Sequence, residues 1–135
     1  LLYRTPESLE EKFHTKLQNS EGLFQVESWL LHHGKKLQNR FQLSAYKLMN
    51  HLLKTTDIFK NDSKSEVIKN ITSNIHLISV DTDYFFTANE IKTAFQEVKN
   101  YKNNAFYHEI KSIHGHDAFL IEFEQLNNIL KPIFN

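Results

Sequence analysis

The sequence contains no cysteine. That excludes disulfides, a thiol nucleophile and zinc–thiolate sites, and it leaves the redox compartment open. Neither sign of charge is in excess: 16 Lys and Arg balance 16 Asp and Glu, so no nucleic-acid partner is expected. No apolar run approaches the roughly 18 residues of a membrane span, and no basic-then-apolar segment opens these residues. Neither a membrane partner nor an export signal is therefore expected. Only three glycines occur, few for a complete α/β enzyme, whose tight strand-to-helix turns consume them. The first residue is Leu rather than Met. Both features suit a piece of a larger protein, and a C-terminal piece is the expectation. What remains is ordinary for a folded domain: 40% hydrophobic and 24% charged residues over 135 positions argue against disorder and allow one modest core.

The first 60 residues carry helical periodicity. Thr5-Pro6-Glu7 is a helix start, with a capping hydroxyl, proline at the first helical position and an acid in the first turn. Leu9, Phe13 and Leu17 then predict a helix over 6–18, broken at Asn19-Ser20-Glu21-Gly22. A second helix is expected from Gln25 to His33, with Gly34 as its left-handed cap. A third is expected over Lys36 to Leu53, burying Leu37, Phe41, Ala45, Leu48, Met49 and Leu52. Three helices with short connections predict an antiparallel helical cap.

Beyond the polar run Asn61–Ser65, and a short helix near Glu66–Ile71, the pattern changes. Ile75–Val80 is a compact β-branched strand. Thr87-Ala88-Asn89-Glu90 is a capping box that opens a helix over about 87–101. Residues 104–110 read as a second strand, and Ala118 to about Leu130 as an amphipathic helix with Asp117 at its N-terminus. The predicted fold class is α/β: a helical segment over 1–60, then a parallel strand–helix–strand–helix unit over 61–135.

Two residues at strand ends have the chemistry for proton transfer. Asp83 follows the first strand and His116 the second, 33 residues later. Carboxyl ends of parallel strands are where α/β folds place their sites. An acid beside a histidine can orient it as a general base. The same residues also admit plainer readings: Asp81 and Asp83 can solvate a loop, and His116 can be a surface histidine beside Gly115. His114, His116 and Asp117 could form a metal cluster, but Gly115 and the helix start interrupt the strand such a pattern needs, and no metal site is expected. His32, His33 and His51 read as helix-face residues.

Four segments, in order, resemble the homoserine O-acetyltransferase family of α/β-hydrolase-fold acyltransferases. They are Tyr3-Arg4; Phe24-Gln25-Val26-Glu27-Ser28-Trp29-Leu30 with Gly34-Lys35-Lys36 and Arg40-Phe41; Asp83-Tyr84-Phe85-Phe86; and Gly115-His116-Asp117-Ala118-Phe119-Leu120. The resemblance implies the last two parallel strands of an α/β-hydrolase core preceded by a helical lid. It makes His116 the base and Asp83 its orienting acid, with Asp117 meeting the amino group of an amino-acid substrate and Arg4 its carboxylate. It further implies ping-pong acetyl transfer from acetyl-CoA, a substrate rather than a resident cofactor, to the hydroxyl of homoserine in methionine biosynthesis. A cytoplasmic homodimer joined through the lid would be the setting.

The departures lie at Trp29, where the family has tyrosine, and at Gln42-Leu43-Ser44-Ala45. They keep open an esterase or a transferase for another alcohol such as serine. A non-catalytic helical interaction module is the third reading. No Gly-x-Ser-x-Gly nucleophile elbow occurs in the 135 residues. The serine is expected on the missing N-terminal half, and this chain alone is expected to be inert.

Overall fold

The computed structural model describes residues 3–18 and 22–134. Helices α1 (Pro6–Phe13), α2 (Gln25–Arg40), α3 (Leu43–Thr55) and α4 (Lys64–Asn70) precede strand β1 (Ile75–Val80). Helix α5 (Ala88–Lys99) then leads to strand β2 (Ala105–Ile110). A 3₁₀ turn over Gly115–Leu120 and helix α6 (Phe123–Phe134) complete the order. The strands pair in parallel from Ile75↔Ala105 to Val80↔Ile110, as the strand–helix–strand–helix order predicts.

Alternation along the strands gives the sheet two different faces. Val80 and Ile110 point to one side and pack with Ala118, joined by Ile78, Leu126 and Ile129, so α6 closes that face. Tyr107 and Glu109 point to the other, where Phe95 of α5 meets the Tyr107 ring at 5.8 Å and Lys92 pairs with Glu109 at 2.6 Å. The α5 capping box forms as expected: Glu90 N–H donates to Thr87 Oγ1, and Thr87 N–H to Glu90 Oε2 at 3.1 Å. The Thr87 hydroxyl and amide together hold the Glu90 carboxyl below its usual range. At the start of the sheet His76 Nδ1 lies 3.1 Å from His108 Nε2. Burial, then the neighbouring His76, lowers the pKa of His108.

Several boundaries differ from the sequence expectation. Helix α1 stops at Phe13, with His14 at φ +51. The chain beyond it forms a small antiparallel bridge between Leu17 and Phe24. Of the expected break, Asn19, Ser20 and Glu21 lie outside the described residues, and Gly22 takes φ +87. Helix α2 runs straight through Gly34 to Arg40. A mid-helix glycine costs only about 1 kcal/mol relative to alanine, and good helix formers follow it. The break falls instead at the extended Phe41.

The stripe expected to be buried on the third helix is exposed, and Leu37 and Phe41 belong to α2 and its end. Every residue from Leu30 to Ile58 is exposed, Leu48 at 57% and Met49 at 55% among them. Amphipathic helices bury a face only where another element covers it. The accessible surface, 10523 Å², exceeds the roughly 7,400 Å² of a compact chain of this mass. The C-terminal helix also starts later than expected. Asp117 does not cap it: α6 begins only at Phe123, and the Asp117 carboxylate faces Arg4, Oδ2 to Nη1 at 3.9 Å. Ala118 O accepts both Ile121 N–H and Glu122 N–H, which tightens this stretch into the 3₁₀ turn and leaves Phe119 and Leu120 outside the core stripe.

Candidate active site

The site forms where β1 and β2 end. After Val80 the chain turns through Asp81-Thr82-Asp83, and after Ile110 it loops through Ser112–Gly115 to His116. Because the strands are adjacent and in register, the two loops meet. Asp81 Oδ1 accepts Ser112 N–H at 3.0 Å, and the Thr82 hydroxyl donates to Ser112 O at 2.5 Å while accepting Gly115 N–H at 3.2 Å. Gly115 is buried with φ +65, and a Cβ there would stand 3.2 Å from Tyr3 O. Glycine is therefore required both for its backbone angle and for close approach.

Asp83 and His116 come together. His116 Nδ1 lies 2.8 Å from Asp83 Oδ2, and Asp83 is 7% exposed. The other carboxylate oxygen accepts the amides of Phe85 at 2.7 Å and Phe86 at 3.0 Å. An ionised carboxylate only accepts, so Nδ1 carries the proton and Nε2 is left for chemistry. Four aromatic rings surround the imidazole: Tyr3 at 5.1 Å, Phe85 and Phe86 at 5.6 Å and Phe119 at 5.7 Å. His116 and Asp83 border an apolar cavity of about 280 Å³ with Phe86, Ile91, Phe119 and Leu126.

Arg4 and Asp117 also come together, Nη1 to Oδ2 at 3.9 Å. They border a second cavity of about 510 Å³ whose apolar wall is Trp29, Leu30 and Leu37 of α2. Trp29 is held there by Phe13 at 5.6 Å and His33 at 4.5 Å, with Lys12 Nζ 5.3 Å above its ring. A carboxylate and an ammonium carried on one carbon match such a charge pair.

His114, considered above with His116 and Asp117 as a metal cluster, is engaged elsewhere. Its Nδ1 lies 2.8 Å from Ser8 Oγ. Among the described residues no group of three or more His, Asp or Glu side chains could hold a metal ion. Sequence reasoning passed over Ser8, Thr5 and Thr82, whose hydroxyls knit α1 and the acid turn to the histidine loop. Only Thr5 carried a local signal, as a helix cap. The others act across 30 or more residues of chain, and no local pattern marks them.

No protein-family model matches the chain. Individual relatives do. The chain is 36% identical to a homoserine O-acetyltransferase of Methanococcus vannielii across 98% of its own length and 28% of the relative's. It is 38% identical to the homoserine O-acetyltransferase of Cyclobacterium marinum across 82% of its length and 31% of the relative's. With that of Sulfurimonas autotrophica it shares 34% identity, across 96% of its length and 37% of the relative's. The resemblance read from the four segments is thus borne out along nearly the whole chain, and the chain is related to a family of acyltransferases. It spans about a third of the length of these curated relatives.

Proposed function

Proceeding from this kinship with the homoserine O-acetyltransferases, we propose that the chain supplies the acid–histidine pair and the acceptor site of an acetyl-CoA:homoserine acetyltransferase. The observation that carries the reading is the 2.8 Å Asp83–His116 bond at the ends of two adjacent parallel strands. No Gly-x-Ser-x-Gly elbow lies within the 135 residues, so the nucleophilic serine is assigned to polypeptide outside them.

In this scheme His116 Nε2 takes the serine hydroxyl proton as the serine oxygen attacks the thioester carbonyl. The C–S bond breaks, and coenzyme A leaves with that proton as the free thiol. His116 next takes the proton of homoserine's hydroxyl, whose oxygen attacks the acetyl-serine. The ester bond to the enzyme breaks, the serine is reprotonated and O-acetylhomoserine departs. Asp83 holds the required tautomer and stabilises the transient imidazolium. Asp117 binds the acceptor's ammonium and Arg4 its carboxylate. Helices α1–α3 form a lid over the acyl-CoA entrance, and the exposed apolar face of α2 and α3 is covered by the rest of the enzyme or by a second subunit.

A transferase for a different alcohol, or an esterase, is the second reading. It is favoured by Trp29, which stands in the wall of the Arg4–Asp117 cavity in place of the tyrosine of the resembled family. Coenzyme A release by the native enzyme, this chain purified together with the polypeptide that carries the serine, separates the two. Release that depends on homoserine supports the first reading, and release driven equally by serine or by water supports the second. Absence of release under every condition, with no acetyl group gained by any chain in denatured mass spectra, sinks both.

A further inference from the structure

Two residues before His116, the side chain of His114 turns toward α1. Its Nδ1 lies 2.8 Å from the hydroxyl of Ser8, which is 0% exposed. Ser8 N–H donates to Thr5 Oγ1 at 3.1 Å, and the Thr5 hydroxyl donates to Ile113 O. On the far side of the imidazole, Glu11 Oε2 approaches Nε2 at 3.9 Å. Serine, histidine and carboxylate in this order have the composition of a nucleophile cluster. The serine is sealed from solvent and substrate, however, and cannot attack anything.

The arrangement suits bracing. The bond to Asp83 fixes the orientation of the His116 ring, but where that ring sits depends on the loop carrying it. Gly115, at φ +65, is the joint at which the loop turns immediately before His116. Thr82 ties the glycine amide on the acid side. On the α1 side, the residue just before the joint is tied by its side chain to Ser8.

We propose that His114, through its Nδ1 bond to buried Ser8, is a positioning residue that sets the reach of His116 toward the reacting oxygen. The proposal rests on the acyltransfer reading above. Without the bond Ser8 Oγ is left buried and unpaired, so the loop relaxes to find it a partner. Sub-ångström displacement of a base lowers turnover without abolishing substrate binding.

The test compares Ser8→Ala, His114→Leu and His114→Asn in the native enzyme, this chain together with the polypeptide that carries the serine. Leucine keeps the volume of the imidazole and loses its nitrogen. Asparagine places a polar atom near the position of Nδ1. The expected result is a kcat about tenfold lower for Ser8→Ala and His114→Leu with KM within about twofold, and near-normal kcat for His114→Asn. The downfield proton resonance of the His116–Asp83 bond should shift or broaden in the first two variants and recover in the third. Unchanged kcat and an unchanged resonance in Ser8→Ala and His114→Leu overturn the proposal, as does a defect in His114→Asn equal to that in His114→Leu. If the unmutated protein transfers no acetyl group, the acyltransfer reading fails. The resonance alone then decides whether the brace exists.

Discussion

Asp83 divides its two carboxylate oxygens between two tasks: Oδ1 receives the amides of Phe85 and Phe86, and Oδ2 lies 2.8 Å from His116 Nδ1. Two backbone N–H groups can be satisfied only by an acceptor, so the oxygen of any amide placed here is drawn to the Oδ1 side. That fixes the outcome of Asp83→Asn. The new NH₂ must face His116, Nδ1 must become the acceptor, and the ring proton moves to Nε2, where it blocks base catalysis.

Asp83→Asn should therefore lower kcat by about 10³- to 10⁴-fold while leaving the unfolding temperature close to that of the unmutated protein. Nitrogen-15 chemical shifts of His116 should report the tautomer change directly. Full activity in this variant would remove Asp83 from the mechanism.

The two strands and the α5 capping box are legible in the sequence because their signals are local. Ile75–Val80 is a β-branched run, and Thr87 and Glu90 need only each other. The α2–α3 region misleads for the opposite reason. Helical periodicity marks an apolar stripe, but it cannot say what covers the stripe, and Leu48, Met49 and Leu52 are exposed among the described residues. The meeting of Asp83 and His116 could be anticipated from two parallel strands ending side by side. The contact of Tyr3 with both Phe85 and His116 could not, since it depends on how α1 docks against the histidine loop.

Gly115→Ala tests that docking. Alanine at φ +65 is strained, a cost of about 1–3 kcal/mol, and its Cβ would press on Tyr3 O at 3.2 Å. Gly22 is the internal control, with φ +87 and nothing within 4 Å of the added atom. Both alanine variants should lower the denaturation midpoint. Only Gly115→Ala should also lower kcat, because only there does relief of the contact move the histidine loop. Equal kinetic effects of the two substitutions would detach the loop geometry from activity.

Glu109 supports the sheet from the α5 side. Lys111, then Lys92 and Tyr107, hydrogen-bond to its carboxyl and hold its pKa at about 2, against a usual value of 4.5. A carboxyl held down in the folded state stabilises that state fully above its unfolded pKa. The contribution erodes as pH falls below 4.5 and is gone beneath about 2. The Lys92 and Lys111 side chains are 49% and 68% exposed, so solvent screens much of the charge. The buried share runs through Tyr107, whose hydroxyl lies 2.5 Å from Ser79 Oγ and donates to Glu109 Oε2 at 2.7 Å. Glu109→Gln should then lower Tm at pH 7 by a few degrees, on the order of 3–5 °C, and the gap should close as pH is taken from 4.5 toward 2. A gap of the same size at pH 2.5 and pH 7 would place the stabilisation in packing rather than in the carboxylate's charge. The hydroxyl chain would then act as a neutral strut between β1 and β2, the two strands that carry the site.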